Sequence, residues 1–315
     1  MVGSSGAWPS PMVGTSGAWP STTGGSIATM STPAYPPVPP HALPPARTVI
    51  VPDRGEFFLR DSGGDGPPVM LLHGWVVNAD LNWHAAYEPL IEAGYRVLAI
   101  DHRGHGRGLR ALTPFRLTDC AADAVAVVRE LGLAPATFVG YSMGGTIAQL
   151  IARDHRDAVS AIVLSGTAQH FQDPETVKTW RLMGALKLGL SAAPRGLWRA
   201  GFRQAKIPYT PRTAWWMSEL TRHAARDIAE AGRELGRFDS RPWLGAVSVP
   251  AATVITSKDR SVSPDKQHEL ARAIGATVFE VAIDHLEVTA RADEYNAQLL
   301  RALEAVRSPE PVTVA

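Results

Sequence analysis

The stretch Val139-Gly140-Tyr141-Ser142-Met143-Gly144-Gly145 decides how this chain folds. It sets a serine between two glycines in the spacing G-x-S-x-G. The residues before it, Ala136-Thr137-Phe138-Val139, form an apolar, strand-like run, and those after it, Thr146 to Ala152, follow a helical pattern. A serine on so sharp a turn from strand to helix is held in a strained backbone conformation, with its hydroxyl pushed out above the sheet. The flanking glycines remove Cβ atoms that would clash at the turn. The start of the following helix offers free backbone N–H groups to a developing negative charge. The spacing alone recurs by chance in Gly-rich chains; the strand before and helix after make Ser142 a candidate nucleophile.

Outward from this turn, strands and helices alternate. Thr48–Val51 and Glu56–Arg60 read as short strands around a turn at Pro52-Asp53-Arg54-Gly55. Val69-Met70-Leu71-Leu72, Arg96–Ile100 and Ala161–Ser165 are apolar throughout, as strands covered on both faces are. Helical patterns are expected over Trp83–Ala93, stopping at Gly94, and over Thr118–Leu131, stopping at Gly132. The rhythm breaks between about Ala168 and Arg241, where helical pieces such as Val177–Leu190 and Thr213–Arg237 dominate. It resumes with a strand at Ala251–Thr256, a helix at Pro264–Ile274, a strand at Thr277–Val281 and a helix at Ala290–Val306. Such alternation implies an α/β fold with a doubly wound, mostly parallel sheet. Active sites of these sheets lie at the carboxyl ends of strands, so an insertion there is expected to cover the site as a cap.

The site must then be assembled from residues beyond strand ends. A serine hydroxyl needs a neighbouring base, and the base needs an orienting acid. On such a sheet the partners follow in the order Ser, Asp or Glu, His. Asp259 follows the strand ending at Thr256, and His285 follows the strand ending at Val281. Asp284 is a rival for the acid, but adjacent side chains seldom share a target, which favours Asp259.

With those motifs in order, the chain from about Thr48 to Val306 resembles the α/β-hydrolase superfamily, in the branch with a helical cap between the sixth and seventh strands. The resemblance rests on His73-Gly74-Trp75, Asp101-His102-Arg103-Gly104-His105-Gly106, Gly140-Tyr141-Ser142-Met143-Gly144-Gly145, Asp259 before Val262 and Pro264, and His285. It implies a core over residues 47–167 and 246–307 with a cap over 168–245. It also implies an oxyanion hole from the backbone N–H groups of Trp75 and Met143. Two positions depart from the family pattern. Arg107 stands where a small polar residue is usual, and Asp284 precedes the histidine where a glycine is usual.

Composition narrows the partners. Apolar residues make up 45% of the chain and charged residues 19%, the balance of a globular protein. A net charge of +1 leaves no electrostatic footprint for nucleic acid. The single Cys120 allows neither an internal disulfide nor a cysteine metal cluster, and reads as a small buried side chain. No apolar run approaches the ~20 residues of a membrane helix. His102 and His105 have the i, i+3 spacing of metal ligands, but no carboxylate or cysteine cluster joins them, and they are expected to shape a turn. His73 is expected to brace a loop, and Asp101 and Arg103 to pin that turn to its neighbours. Asp119 and Asp123 are expected on a solvated helix surface.

Residues 1–46 contain no Lys, Arg, Asp or Glu, and begin with a near repeat of ten residues, Met1–Ser10 and Met12–Ser21. They read as a disordered Pro/Gly/Ser-rich tail without function; a translation start at Met30 is the other reading. A basic start and a continuous apolar stretch for export are both missing, so a cytoplasmic protein is expected. The cap segment holds Trp180, Trp198, Trp215, Trp216 and Trp243, of which one or two are expected to line an apolar pocket. Between Ala168 and Arg241 stand 13 Lys or Arg against 7 Asp or Glu, either a solvated surface or an attraction to anionic lipid or to a phosphate-bearing acyl carrier.

The function expected is a serine hydrolase acting on a small-molecule carboxylic ester, of medium acyl chain or aromatic, through an acyl-serine and without metal, nucleotide or organic cofactor. Ser142, His285 and Asp259 form its catalytic triad. Thioester, lactone or amide cleavage uses the same parts. A carbon–carbon bond hydrolase of aromatic catabolism and a cofactor-free perhydrolase remain as alternatives, as does a low-turnover ligand-binding protein on the same fold. Oligomeric state, including a homo-oligomer, stays open.

Overall fold

The computed structural model describes residues 35–307. Eight strands form one sheet: β1 (Ala46–Val51), β2 (Gly55–Asp61), β3 (Pro68–Leu72), β4 (Arg96–Ile100), β5 (Ala136–Tyr141), β6 (Val159–Ser165), β7 (Ala251–Thr256) and β8 (Thr277–Val281). Their order is β1-β2-β4-β3-β5-β6-β7-β8. The β1–β2 hairpin is antiparallel and joins β4 antiparallel; every pairing from β4 to β8 is parallel. This is the α/β-hydrolase fold expected from the sequence.

The uniform apolarity of the central strands has a direct cause. Met70, Leu72, Leu98, Ile100 and Phe138 enter one core layer, and Val69, Leu71, Val97, Ala99 and Val139 enter the other. Alternate side chains of a strand point to opposite faces, and here both faces are covered. The first layer lies under α3 (Leu117–Glu130), α4 (Met143–Asp154) and α10 (Pro264–Ala273). The second lies under α1 (Ala79–Trp83), α2 (Tyr87–Glu92) and α11 (Ala292–Arg307). Cys120 is buried in the first layer, and burial pushes its thiol pKa well up.

Five helices stand between β6 and β7: α5 (Pro174–Arg181), α6 (Met183–Ala192), α7 (Pro194–Gln204), α8 (Pro211–Leu220) and α9 (Ala225–Arg237). Pro174, Pro194 and Pro211 each occupy a first helical position, where the missing N–H costs nothing. The pattern expected as one helix over Val177–Leu190 breaks at Leu182, and that over Thr213–Arg237 breaks at Thr221–Ala224. Helix α7 was not anticipated. The helix expected over Trp83–Ala93 is two short ones, α1 and α2, because His84–Ala86 leave helical pairing.

Two further expectations change. Met1–Ala34 of the tail lies outside the described residues, but the tail does not extend to residue 46. Leu43 packs on the second core layer, the His41 ring stacks on His84 with centroids 4.9 Å apart, and β1 begins at Ala46. Asp123 is not solvated: it is 2% exposed and accepts from Arg103 Nε at 2.8 Å and Nη2 at 2.9 Å, and from Arg54. Asp119 also pairs with Arg103, at 3.0 Å, though more exposed. A buried carboxylate must be paired, and its partners come from loops that helical periodicity does not reveal.

Candidate active site

Ser142 sits between β5 and α4 with φ 53° and ψ −115°, a conformation L-residues rarely adopt. The surrounding glycines permit it. A Cβ on Gly140 would lie 2.2 Å from the carbonyl oxygen of Gly144, and one on Gly144 2.0 Å from that of Leu72. Gln149 in α4 is buried, donates to Ala168 O at 3.2 Å and accepts from Ser240 Oγ at 2.7 Å, which fastens the helix behind the serine to the segment after β6 and to the one before β7.

His285 follows β8, and Asp259 follows β7. The Nδ1–H of His285 donates to Asp259 Oδ2 at 2.7 Å, which leaves Nε2 as the acceptor. Asp259 is 5% exposed, and its other lone pairs are filled. Ser261 N and Val262 N each donate to Oδ1 at 2.8 Å, and Thr256 Oγ1 donates to Oδ2 at 2.7 Å. Buried Gln267 adds a bond to Oδ2 at 3.3 Å and fastens the loop through Val262 O at 2.8 Å. Asp284 turns away: it pairs with Arg260 and accepts from the His285 backbone N–H at 2.6 Å. Ser142 and His285 line one cavity, and no hydrogen bond joins their side chains among the described residues.

That cavity has a volume of about 310 Å³. Trp75, Leu81, Phe202, Trp216, Leu220 and Val288 give it an apolar wall, with Tyr141, Asn82, Thr289 and the Ser142–His285 pair as the polar groups. Of the tryptophans between β6 and β7, Trp216 alone borders it among the described residues. Trp215 is buried against Leu81 and Leu220 instead. Leu286, 83% exposed, stands at the rim.

The loop after β3 brings Trp75 to the same place. Asn82 Oδ1 accepts from Gly74 N at 2.9 Å. A Cβ on Gly74 would lie 3.4 Å from Ser142 Cβ, so the loop runs directly over the serine. The Trp75 indole donates to Ile228 O at 2.8 Å, tying the loop to α9. Val76, a β-branched residue, has φ 57° and is held by His223, whose Nε2 donates to Val76 O at 3.1 Å. The backbone N–H groups of Trp75 and Met143 meet no protein acceptor among the described residues.

The histidines expected to shape turns form a buried group away from the cavity. His73 Nε2 accepts from His102 N at 3.0 Å, so its Nδ1–H donates to Gly74 O at 2.8 Å. His73 packs on His102 and His105 with ring centroids 4.3 and 5.2 Å apart. Burial pushes His102 down to about 3 and His223 to about 4, and holds His73 and His105 well below their usual value. Asp101 pins the same turn by accepting from Ala79 N at 2.9 Å and Arg107 N at 2.7 Å.

Sequence reasoning missed several groups that build this site. Tyr141 Oη donates to His285 O, and Asn82 fixes the Gly74 loop. Glu219, 2% exposed on α8, accepts from Arg107 Nη2 at 2.9 Å and Asn78 Nδ2 at 2.7 Å. The family departure at Arg107 thus fastens the helix that carries Trp216 and Leu220. The departure itself was the only signal in the sequence.

Comparison with known proteins bears on the family and the fold. Residues 67–192 match the family model described as alpha/beta hydrolase fold. The chain is 30% identical over 278 residues to a non-heme haloperoxidase of Rhodococcus erythropolis, covering 82% of this chain and 99% of that one. Over a shorter stretch of 118 residues it is 36% identical to a bifunctional esterase/perhydrolase of Acinetobacter calcoaceticus, covering 37% of this chain and 42% of that protein. Among solved structures, a thermophilic esterase from Thermogutta terrifontis superposes with a TM-score of 0.69 at 22% identity, over 84% of this chain and all of that one, a likeness of fold. A strained serine between β5 and α4, the sheet order and the similarity to the haloperoxidase over nearly all of that protein's length converge: the chain belongs to the α/β-hydrolase family.

Proposed function

We propose that the protein is a serine hydrolase that cleaves a small carboxylic ester. The observation that carries this reading is the convergence on one apolar cavity of Ser142 and of His285, whose Nδ1 is held by Asp259. The Ser142 hydroxyl attacks the ester carbonyl while His285 Nε2 takes its proton, after a rotation of the serine side chain closes the pair. Apo sites often close only around substrate. Asp259 fixes the imidazole tautomer and stabilises the imidazolium. The negative charge that grows on the carbonyl oxygen is taken up by the N–H groups of Trp75 and Met143, and the start of α4 adds its dipole. His285 returns the proton to the leaving alcohol, then activates water to release the acid from Ser142. The apolar wall suits a medium acyl chain or an aromatic ester.

A second reading concerns the acceptor in deacylation. Relatives named haloperoxidase and esterase/perhydrolase favour peroxide in place of water, which gives a peracid from the same acyl-serine. Hydrolysis of a p-nitrophenyl ester series of rising acyl length, with and without peroxide, tests both. A single intermediate length should be preferred, and Ser142→Ala should lose the activity. Inactivity on every ester would remove the proposal, and peracid formation would establish the second reading.

A further inference from the structure

Helix α7 contributes Phe202 to the cavity's wall and the following turn contributes Ile207, and α6 packs against α7 and α9. Between residues 176 and 218 the sequence has eight Lys or Arg and no Asp or Glu. On α7 the order is periodic. Leu197, Trp198 and Phe202 are partly covered, whereas Arg195, Arg199 and Arg203 recur every four residues on the exposed face. Lys187 on α6 and Lys206 after α7 are exposed as well. None of these five cations is in an ion pair among the described residues, although Arg or Lys elsewhere on the surface pair with a nearby acid. Like charges four residues apart on a helix repel. The arginine row therefore works against α7 with no acid beside it to offset the cost.

The same pair of helices exposes apolar side chains. Leu182 is 63% exposed and Leu188 71% exposed, at the start and in the middle of α6, which packs against α7 through Gly189 and Leu197. Cations interspersed with exposed leucines on a helical surface match an interface between water and anionic lipid, where the charges meet headgroups and the leucines enter the acyl boundary. Nucleic acid would use the arginines but leave the leucines in water.

We propose that the outer face of α6 and α7 docks on an anionic lipid surface and so brings the cavity's wall to that surface. This inference does not depend on the hydrolase reading, because its test measures binding. The purified full chain is sedimented with phosphatidylcholine vesicles and with vesicles that also contain phosphatidylglycerol. Partition onto the anionic vesicles is expected to exceed that onto the neutral ones by about 100-fold and to fall as NaCl screens the charges. The variant R195E/R199E/R203E should lose about 100-fold or more in partition. The single change Leu188→Asp, on the other helix, should weaken binding without touching the arginine row, and remains informative if the triple variant fails to fold. Equal partition onto both vesicles would overturn the proposal. So would salt-independent binding, undiminished binding by the variants, or preference for an acidic carrier protein or DNA fragment over the vesicles.

Discussion

The phenol of Tyr141 donates a 2.6 Å hydrogen bond to the carbonyl oxygen of His285, so the residue before the candidate nucleophile holds the backbone of the candidate base. The bond spans β5 and the loop after β8 and sits beside the cavity. Tyr141 is 4% exposed, and burial pushes its pKa well up, so it remains a donor at any working pH. Tyr141→Phe removes the donor and leaves the ring. It is expected to lower kcat about tenfold with little change in KM, since a loosened His285 costs transition-state contact rather than substrate binding. A rise in KM with kcat unchanged would contradict this role.

Asp259 and Asp284 stand on either side of the candidate base and do different work. Asp259→Asn is expected to cut kcat/KM by about 10³–10⁴, because the amide no longer fixes the imidazole tautomer. Asp284→Asn weakens only a pair with the exposed Arg260 and two bonds from loop backbone, and should cost less than about tenfold. Steady-state kinetics on one ester separate the two, and equal losses would argue against Asp259 as the orienting acid.

Arg107 and Glu219 couple the turn after β4 to α8. Arg107→Ser leaves the buried Glu219 with Asn78 and the half-exposed Arg222. A stability loss of about 1–3 kcal/mol is expected in urea unfolding, with a raised KM as Trp216 and Leu220 lose their anchor. Combining it with Glu219→Gln should cost less than the two single changes added together. Strict additivity would show that the pair is not coupled.

How much of this was legible in the sequence depends on the range of the cause. The Gly140–Gly145 turn and the apolar runs at Val69–Leu72 and Arg96–Ile100 carry local signatures, so the sheet and Ser142 could be read directly. Asp259 and His285 followed from chain order at strand ends. Tyr141 and Glu219 could not be read, because their partners lie far away in the chain: 144 residues separate Tyr141 from His285 and 141 separate Asn78 from Glu219. Asn82 reaches back only to Gly74, but a single side-chain bond to a loop leaves no periodic signal. Asp123 was misread for the same reason, since Arg103 reaches it from a loop. Helix α7 escaped notice because its apolar residues are few and its exposed arginines look like a solvated surface.

The buried histidines predict how stability depends on pH. Burial lowers His102 to about 3 and His84 and His223 to about 4, and His73 and His105 lie well below the usual value. Below about pH 6.5 the unfolded chain takes up protons on these groups and the folded chain does not. Their contribution is therefore complete above that pH and is lost as pH falls toward 4, by up to about 1.4 kcal/mol per pH unit for each group. Asp101, raised to about 7 by burial, acts in the opposite sense, since the folded chain keeps its proton between about pH 4 and 7. Burial raises the Asp123 carboxyl in the same sense, and two groups against five leave a net loss. Tm should drop by at least about 5 °C between pH 6.5 and 4.5; a flat or rising Tm would contradict the neutral cluster.

The proposed mechanism requires that Ser142 become acylated, and rapid mixing with a p-nitrophenyl ester reads that step. A burst of about one p-nitrophenol per chain is predicted, with the acyl mass on the peptide that contains Ser142 and neither burst nor adduct in Ser142→Ala. An adduct on another residue, or turnover that survives Ser142→Ala undiminished, would show that Ser142 is not the nucleophile.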